Sequence, residues 1–302
     1  MQITFYGVRG SIASPGANTA KYGGNTACVF VETGTETQQG ALVVFDAGTG
    51  IHQLGNYLSA LDDHSTRGSA LDLVDKPDIH LLFSHYHWDH IQGFPFFKPI
   101  YDPQQTIHIS ALDLKKIEDC PVLNQMATPH FPVPKEQLRA DIKVLPVNND
   151  GKIHLDNTVI STQALNHPGG GTGYRVDTPQ GSMVYITDNE LEPPTTASTP
   201  QATTKDQWCE FVSEVDILIH DAMYLNSEQE AHLGWGHSTI SQALELARDA
   251  KVAKLVLFHH EPERSDQELD QLLEQSREWM KQEGSKCQVH MAKEGDRYEY
   301  GL

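Results

Sequence analysis

The chain has 302 residues, 38% hydrophobic and 21% charged, enough for one large domain or two ordinary ones with the composition of a soluble globular protein. Asp and Glu number 41 against 22 Lys and Arg, and a formal net charge of −19 without any Lys/Arg cluster disfavours a long nucleic acid such as tRNA as partner. No apolar run approaches the ~18 residues of a membrane span, and Cys28, Cys120, Cys209 and Cys287 form no CxxC pair, so we expect no membrane association, no disulfide framework and a reducing, cytoplasmic setting.

MQITFYGVRGSIASPG begins with strand-like ITFYG (3–7) and lacks the basic stretch and apolar core of a signal peptide. ACVFVE (27–32) and ALVVF (41–45) are the next strands, the second ending in DAGTG, and a helix is predicted over 51–61. IHLLFS (79–84) is a strand followed at once by HYHWDH (85–90). Residues 91–140 are irregular and rich in proline and aromatics, apart from the strand TIHIS (106–110). TVISTQAL (158–165), GYRVDT (173–178) and GSMVYIT (181–187) alternate with period 2 and predict a meander, while EPPTTASTPQATT (192–204) predicts a loop. VDILIH (215–220) and KLVLFHH (254–260) are strands, and CQVHMA is a last one. STISQALELARDA (238–250) predicts a helix capped by Ser238, and SDQELDQLLEQSREWMKQ (265–282) a final exposed helix. Meandering strands first and helices between later strands predict an α+β fold of helix-covered sheets, one domain over 1–302.

HYHWDH concentrates four side chains of metal-binding types, His85, His87, Asp89 and His90. In an extended segment residues i and i+2 point the same way, so His85 and His87 can reach one metal together. Asp89 and His90 follow after a turn and can face a second. A nitrogen and oxygen donor set without cysteine argues against a closed structural zinc site. Six residues cannot complete two coordination shells, and His167, Asp188 and His259 each stand at the C-terminal end of a predicted strand. Ligands gathered at one sheet edge are what a shared site needs.

HxHxDH, then a lone His, an Asp after a strand and a His after a strand resemble the metallo-β-lactamase superfamily across nearly the whole chain. The resemblance implies a four-layer αββα sandwich with a dinuclear metal site along one sheet edge. Carried over, His85, His87 and His167 bind one metal, Asp89, His90 and His259 the other, and Asp188 bridges both. His260 competes with His259, which directly follows the apolar strand. Asp46 in FDAGTG matches an early aspartate expected to steady the ligand loop from behind. The ligand set accepts zinc, the first expectation, and also manganese or iron.

Two later segments resemble the phosphodiesterase branch that includes ribonuclease Z: LIHDAMY (218–224) and GHST (236–239). They imply that Asp221, where that branch usually has Glu, orients His237 beside the substrate phosphate. PGGGTGY is no P-loop, and Gly170 and Gly171 are expected to let backbone approach metals or substrate. Residues 189–206 are too short and too poor in positive charge for a tRNA-binding arm. The first expectation is therefore hydrolysis of a small anionic phosphodiester, a cyclic nucleotide above all, by a metal-bridging hydroxide, with Asp89 in the catalytic centre and His237 assisting the leaving group. The alternatives are a carboxylic or thioester hydrolase of lactamase or glyoxalase type, a ribonuclease Z-type endonuclease acting on RNA, and a non-catalytic binding module. A homodimer is left open.

Overall fold

Two seven-stranded sheets form the computed structural model, which describes residues 1–34, 40–61, 76–111, 114–147, 150–194 and 202–301. In chain order the strands are β1 (Gln2–Gly7), β2 (Cys28–Glu32), β3 (Leu42–Phe45), β4 (Ile79–Leu82), β5 (Thr106–Ser110), β6 (Asp141–Val144), β7 (Lys152–Leu155), β8 (Thr158–Ala164), β9 (Thr172–Thr178), β10 (Gly181–Ile186), β11 (Ile217–Asp221), β12 (Lys254–Phe258), β13 (Gln288–Met291) and β14 (Arg297–Glu299). The α-helices are α1 (Ile51–Leu61), α2 (Trp88–Ile91), α3 (Pro121–Asn124), α4 (Lys205–Phe211), α5 (Ile240–Asp249) and α6 (Asp266–Gln282).

Both sheets follow one plan. β14, β1, β2 and β3 pair antiparallel, and β3 to β6 continue in parallel. β7 to β10 pair antiparallel, and β10 to β13 continue in parallel. Parallel neighbours need a crossover, and α1, α4, α5 and α6 lie in such connections. In a parallel sheet, crossovers leave and enter at the strand ends, so the C-terminal ends form an open edge where side chains can converge.

Strand alternation divides each strand between two cores. Val43, Phe45, Ile217, Ile219, Val256 and Phe258 face the space between the sheets, with Phe45 stacked on Tyr185 at 5.1 Å. Leu218, Leu255 and Leu257 face Trp208 of α4 and Leu244 of α5, while Val44 and Leu81 face Ile51 and Leu54 of α1. Burial of both faces explains why these strands read as short continuous apolar runs. Helix, sheet, sheet and helix make four layers, the αββα sandwich that the resemblance implied.

The structure corrects several boundaries. α5 is capped by Thr239, not Ser238: the Thr239 side chain accepts from the backbone N–H of Gln242, whose side chain reaches back to the Thr239 backbone. Ser238 is instead buried, donating to the carbonyl of Asn189 at 2.6 Å. Sequence reading missed β6, β7, β14 and α4. The three strands have three or four residues each and carry charge, as edge strands do. α4 is capped by Thr204, the last residue of the expected 192–204 loop, of which residues 195–201 lie outside the described residues. Among the described residues no helix is long and apolar enough to cross a membrane.

Candidate metal centre

The sequence places a polar side chain at the C-terminal end of strand after strand, and the fold turns that pattern into one cluster. Asp46 follows β3, His85 to His90 follow β4, Asp188 follows β10, Asp221 ends β11 and His259 follows β12. Asp46, Asp188 and His259 adopt left-handed backbone, with φ of 60°, 49° and 60°. Such conformations cost of order 1–3 kcal/mol each in a non-glycine residue, and they bend the chain sharply enough to aim each side chain along the edge.

Two donor groups result. His85, His87, His167 and Asp188 have ligand atoms within 4.8 Å of one another, and so do Asp89, His90, Asp188 and His259. Asp188 belongs to both, and its two oxygens divide between them. Oδ2 lies 3.6 Å from Nε2 of His85 and 3.9 Å from Nε2 of His167. Oδ1 lies 3.2 Å from Nε2 of His90 and 3.0 Å from Nε2 of His259. In the first group Nε2 of His167 is also 3.0 Å from Nδ1 of His87. In the second, Oδ2 of Asp89 lies 3.1 Å from Nε2 of His90 and 3.3 Å from Nε2 of His259.

These donors fit divalent ions. Nε2 of His85 and Nε2 of His90 are buried without a hydrogen-bond partner among the described residues. A buried polar atom left so needs an explanation, and a cation shared with neighbouring carboxylates supplies one. The set contains only imidazole and carboxylate, which suits a catalytic rather than a closed structural site.

Nδ1 of His90 and Nδ1 of His167 are held from behind, which fixes tautomer and orientation in those two rings. Asp46 is the hub: Oδ2 lies 2.8 Å from Nδ1 of His90 and accepts from the hydroxyls of Ser84 and Tyr185, both at 2.8 Å. Its Oδ1 accepts the backbone N–H of Ser84 at 2.7 Å. Nδ1 of His167 donates to the carbonyl of Gly236 at 3.0 Å, and the Ser11 backbone N–H donates to Oδ2 of Asp89 at 2.8 Å. The Thr187 hydroxyl donates to Oδ1 of Asp188 at 2.7 Å.

Charge is unevenly spread. Burial holds His85 well below the usual histidine range and His167 at about 4, so both are neutral and able to ligate. Burial would lower His90 as well, but Asp89, Asp188 and Asp46 outweigh it and raise it well above that range. Asp89 and Asp188, despite burial, are held below the usual carboxylate range by the surrounding imidazoles.

Beside this cluster stands the Asp221–His237 pair. Nδ1 of His237 lies 2.8 Å from Oδ2 of Asp221, which is fully buried and also accepts the backbone N–H groups of Asn189 and Met223. The His237 ring stacks on His259 at 5.1 Å and lies 5.5 Å from the His167 ring. Burial would lower His237, but Asp221 pushes it up to about 9.

The structure thus brings together all seven expected ligands, Asp46, Asp221 and His237. His260 turns away: its Nε2 donates to the carbonyl of Ala292 at 2.8 Å, and its ring packs on Tyr22. Gly170 and Gly171 shape the ligand loops. Gly170, at φ 78°, closes a turn onto the carbonyl of His167, and a Cβ on Gly171 would lie 3.0 Å from the carbonyl oxygen of Ser84. Sequence reading missed Ser84, Tyr185 and Thr187, along with two glycines under ligand rings. A Cβ on Gly10 would lie 2.5 Å from Nδ1 of His259, and one on Gly236 2.0 Å from Nδ1 of His167. The only signal for them was their presence within the Gly-rich GVRGS and GHST segments.

Residues 42–260 match the family described as the beta-lactamase superfamily domain, and the chain belongs to that superfamily as a metal-dependent hydrolase with two adjoining candidate metal positions. Among curated relatives, ribonuclease Z of Thermoplasma volcanium is 40% identical over 57 residues, which cover 19% of this chain and 19% of that protein. Ribonuclease Z of Haloarcula marismortui is 22% identical over 86% of each chain. Unliganded yeast PDE1 shares the fold, with a TM-score of 0.65 at 16% identity over 100% of this chain and 99% of that one.

Proposed function

We propose that the chain is a dinuclear-metal phosphodiesterase and that its substrate is an RNA phosphodiester, cleaved in the manner of a ribonuclease Z. The observation that carries this reading is the Asp221–His237 pair, set 2.8 Å apart against the His259 ring. A hydrolase of lactamase or glyoxalase type would share the metal ligands without needing a buried carboxylate that holds an imidazolium there. The curated relatives named ribonuclease Z support the RNA assignment.

Two divalent ions held by the donor groups would supply Lewis acidity toward phosphoryl oxygens and acidify a water to near neutrality. The protein does the rest. Asp188 ties the two positions together, and Asp46 holds His90 so that its Nε2 faces them. His237, protonated at neutral pH through Asp221, presents its Nε2 proton to a phosphoryl oxygen or to the departing alkoxide. General acid assistance of this kind is worth typically 10²–10⁴-fold. Trp88, between the ligands His87 and Asp89, and Trp235, two residues before His237, are 68% and 58% exposed. Exposed indoles in ligand-bearing segments suit base stacking, at about 1–3 kcal/mol per base regardless of sequence.

A cyclic nucleotide is the second reading. It is favoured by the net charge of −19, which opposes a long polyanion, and by the shortness of residues 189–206. A short single strand meets the same objection less than a folded tRNA does. Turnover of short oligoribonucleotides, a precursor tRNA, and 3′,5′- and 2′,3′-cyclic nucleotides by the metal-loaded protein separates the readings. Cleavage of the cyclic nucleotides alone would overturn the RNA assignment and leave the phosphodiesterase intact.

A further inference from the structure

GVRGS places an arginine where the chain leaves β1, and Arg9 is fully buried. Its guanidinium meets three backbone carbonyls: Nε donates to Gly23 at 2.9 Å, and Nη1 to Glu261 at 3.1 Å and Arg264 at 2.8 Å. Two of the three lie in the segment that begins with His259. The backbone on either side of Arg9 grips the same segment, because the N–H of His260 donates to the carbonyl of Val8 at 3.0 Å and the N–H of Gly10 to the carbonyl of His260 at 2.9 Å.

The next two residues touch the ligands themselves. Gly10 lies against the His259 ring so closely that a Cβ would come within 2.5 Å of it. Ser11 gives its N–H to Oδ2 of Asp89 at 2.8 Å. Asp89 comes from α2, which follows β4 of one sheet, and His259 from the end of β12 in the other, so residues 8–11 staple the two sheets together where those two ligands meet. Among the described residues, no hydrogen bond from residues 8–11 runs to His85, His87 or His167.

We propose that Arg9 is a positioning residue for one of the two metal positions, the one formed by Asp89, His90 and His259. Its planar, five-donor head spreads donors from Nε to Nη1 along a rigid fork and so reaches carbonyls on separate segments, whereas a lysine offers all its donors from one nitrogen. Outer contacts of this kind typically change metal affinity 10–100-fold.

The test measures metal rather than turnover, so its outcome is independent of the substrate reading. Purified wild type, Arg9→Met and Arg9→Lys are titrated with zinc against a chromophoric chelator, and metal per chain is measured after dialysis at fixed free zinc. Circular dichroism and thermal melting report the fold. We expect Arg9→Met to keep the first binding step and weaken the second about 10–100-fold, with Arg9→Lys between it and wild type. Should Arg9→Met fail to fold, Arg9→Lys carries the test with the same selective loss expected. Two steps at wild-type affinity in a folded variant, or both steps weakened together, overturn the proposal.

Discussion

Asp188 holds Oδ1 3.0 Å from Nε2 of His259, while its other oxygen faces His85 and His167. One carboxylate thus serves two donor groups, and the two residues should fail differently. Asp188→Asn is expected to lower affinity at both metal positions, whereas His259→Ala is expected to lose one ion and keep the other. Metal per chain by elemental analysis distinguishes them. Equal loss in both variants would contradict the sharing.

Removing the imidazole beside the centre should cost rate and not metal. For His237→Ala we expect two ions per chain and a kcat on phosphodiesters about 10²–10⁴-fold lower. Asp221→Asn should fall in the same direction, because the amide no longer holds His237 charged. Full activity in His237→Ala removes it from the reaction.

The same pair sets a pH signature in the metal-free protein. Asp221 overcomes the burial of His237 and pushes it up to about 9 from an ordinary value of 6.5. A raised folded-state value contributes stability fully present below the unfolded value and lost as pH rises through the folded one. The stability gap between wild type and His237→Ala, both metal-free, should be widest near pH ~6 and shrink toward pH ~9.5. Urea melts across this range check it, and a gap that widens with pH would reverse the assignment.

Asp46 belongs to neither donor group, yet its substitution should weaken one position. Asp46→Ala leaves the buried Ser84 and Tyr185 hydroxyls and Nδ1 of His90 without their shared acceptor. Each orphaned group costs about 1–3 kcal/mol, and metal affinity on the His90 side should fall about 10–100-fold. Calorimetric melting and metal titration read the two effects separately.

Base stacking on Trp235 predicts a loss confined to substrates that carry bases. Trp235→Ala should raise KM for a short oligoribonucleotide about 5–100-fold and leave its abasic counterpart unchanged. An equal effect on both would assign Trp235 to the loop that carries His237.

Much of this was legible in the sequence because the chemistry is local in sequence or tied to strand ends. HYHWDH is contiguous, and Asp46, Asp188 and His259 each follow an apolar run that has to be a buried strand. The resemblance supplied the order in which distant ligands join. The contacts behind them were illegible, since Tyr185 on β10 reaches Asp46 after β3 only when two sheets stack. Gly10 packs on the His259 ring, and Arg9 holds the carbonyl of Glu261 two residues on, both across nearly the whole chain. The short charged edge strands and α4, whose cap falls in a low-complexity stretch, lacked the periodicity that reveals longer elements. Charge is a coarser guide: a total of −19 describes the whole surface, whereas a substrate meets the few groups around Asp188.

Turnover by the metal-loaded protein on a short oligoribonucleotide, side by side with nitrocefin and S-lactoylglutathione, tests the central assignment most directly. Chelator-sensitive cleavage of the phosphodiester is expected, and none of the lactam or thioester. Hydrolysis of nitrocefin or S-lactoylglutathione without phosphodiester cleavage would contradict it.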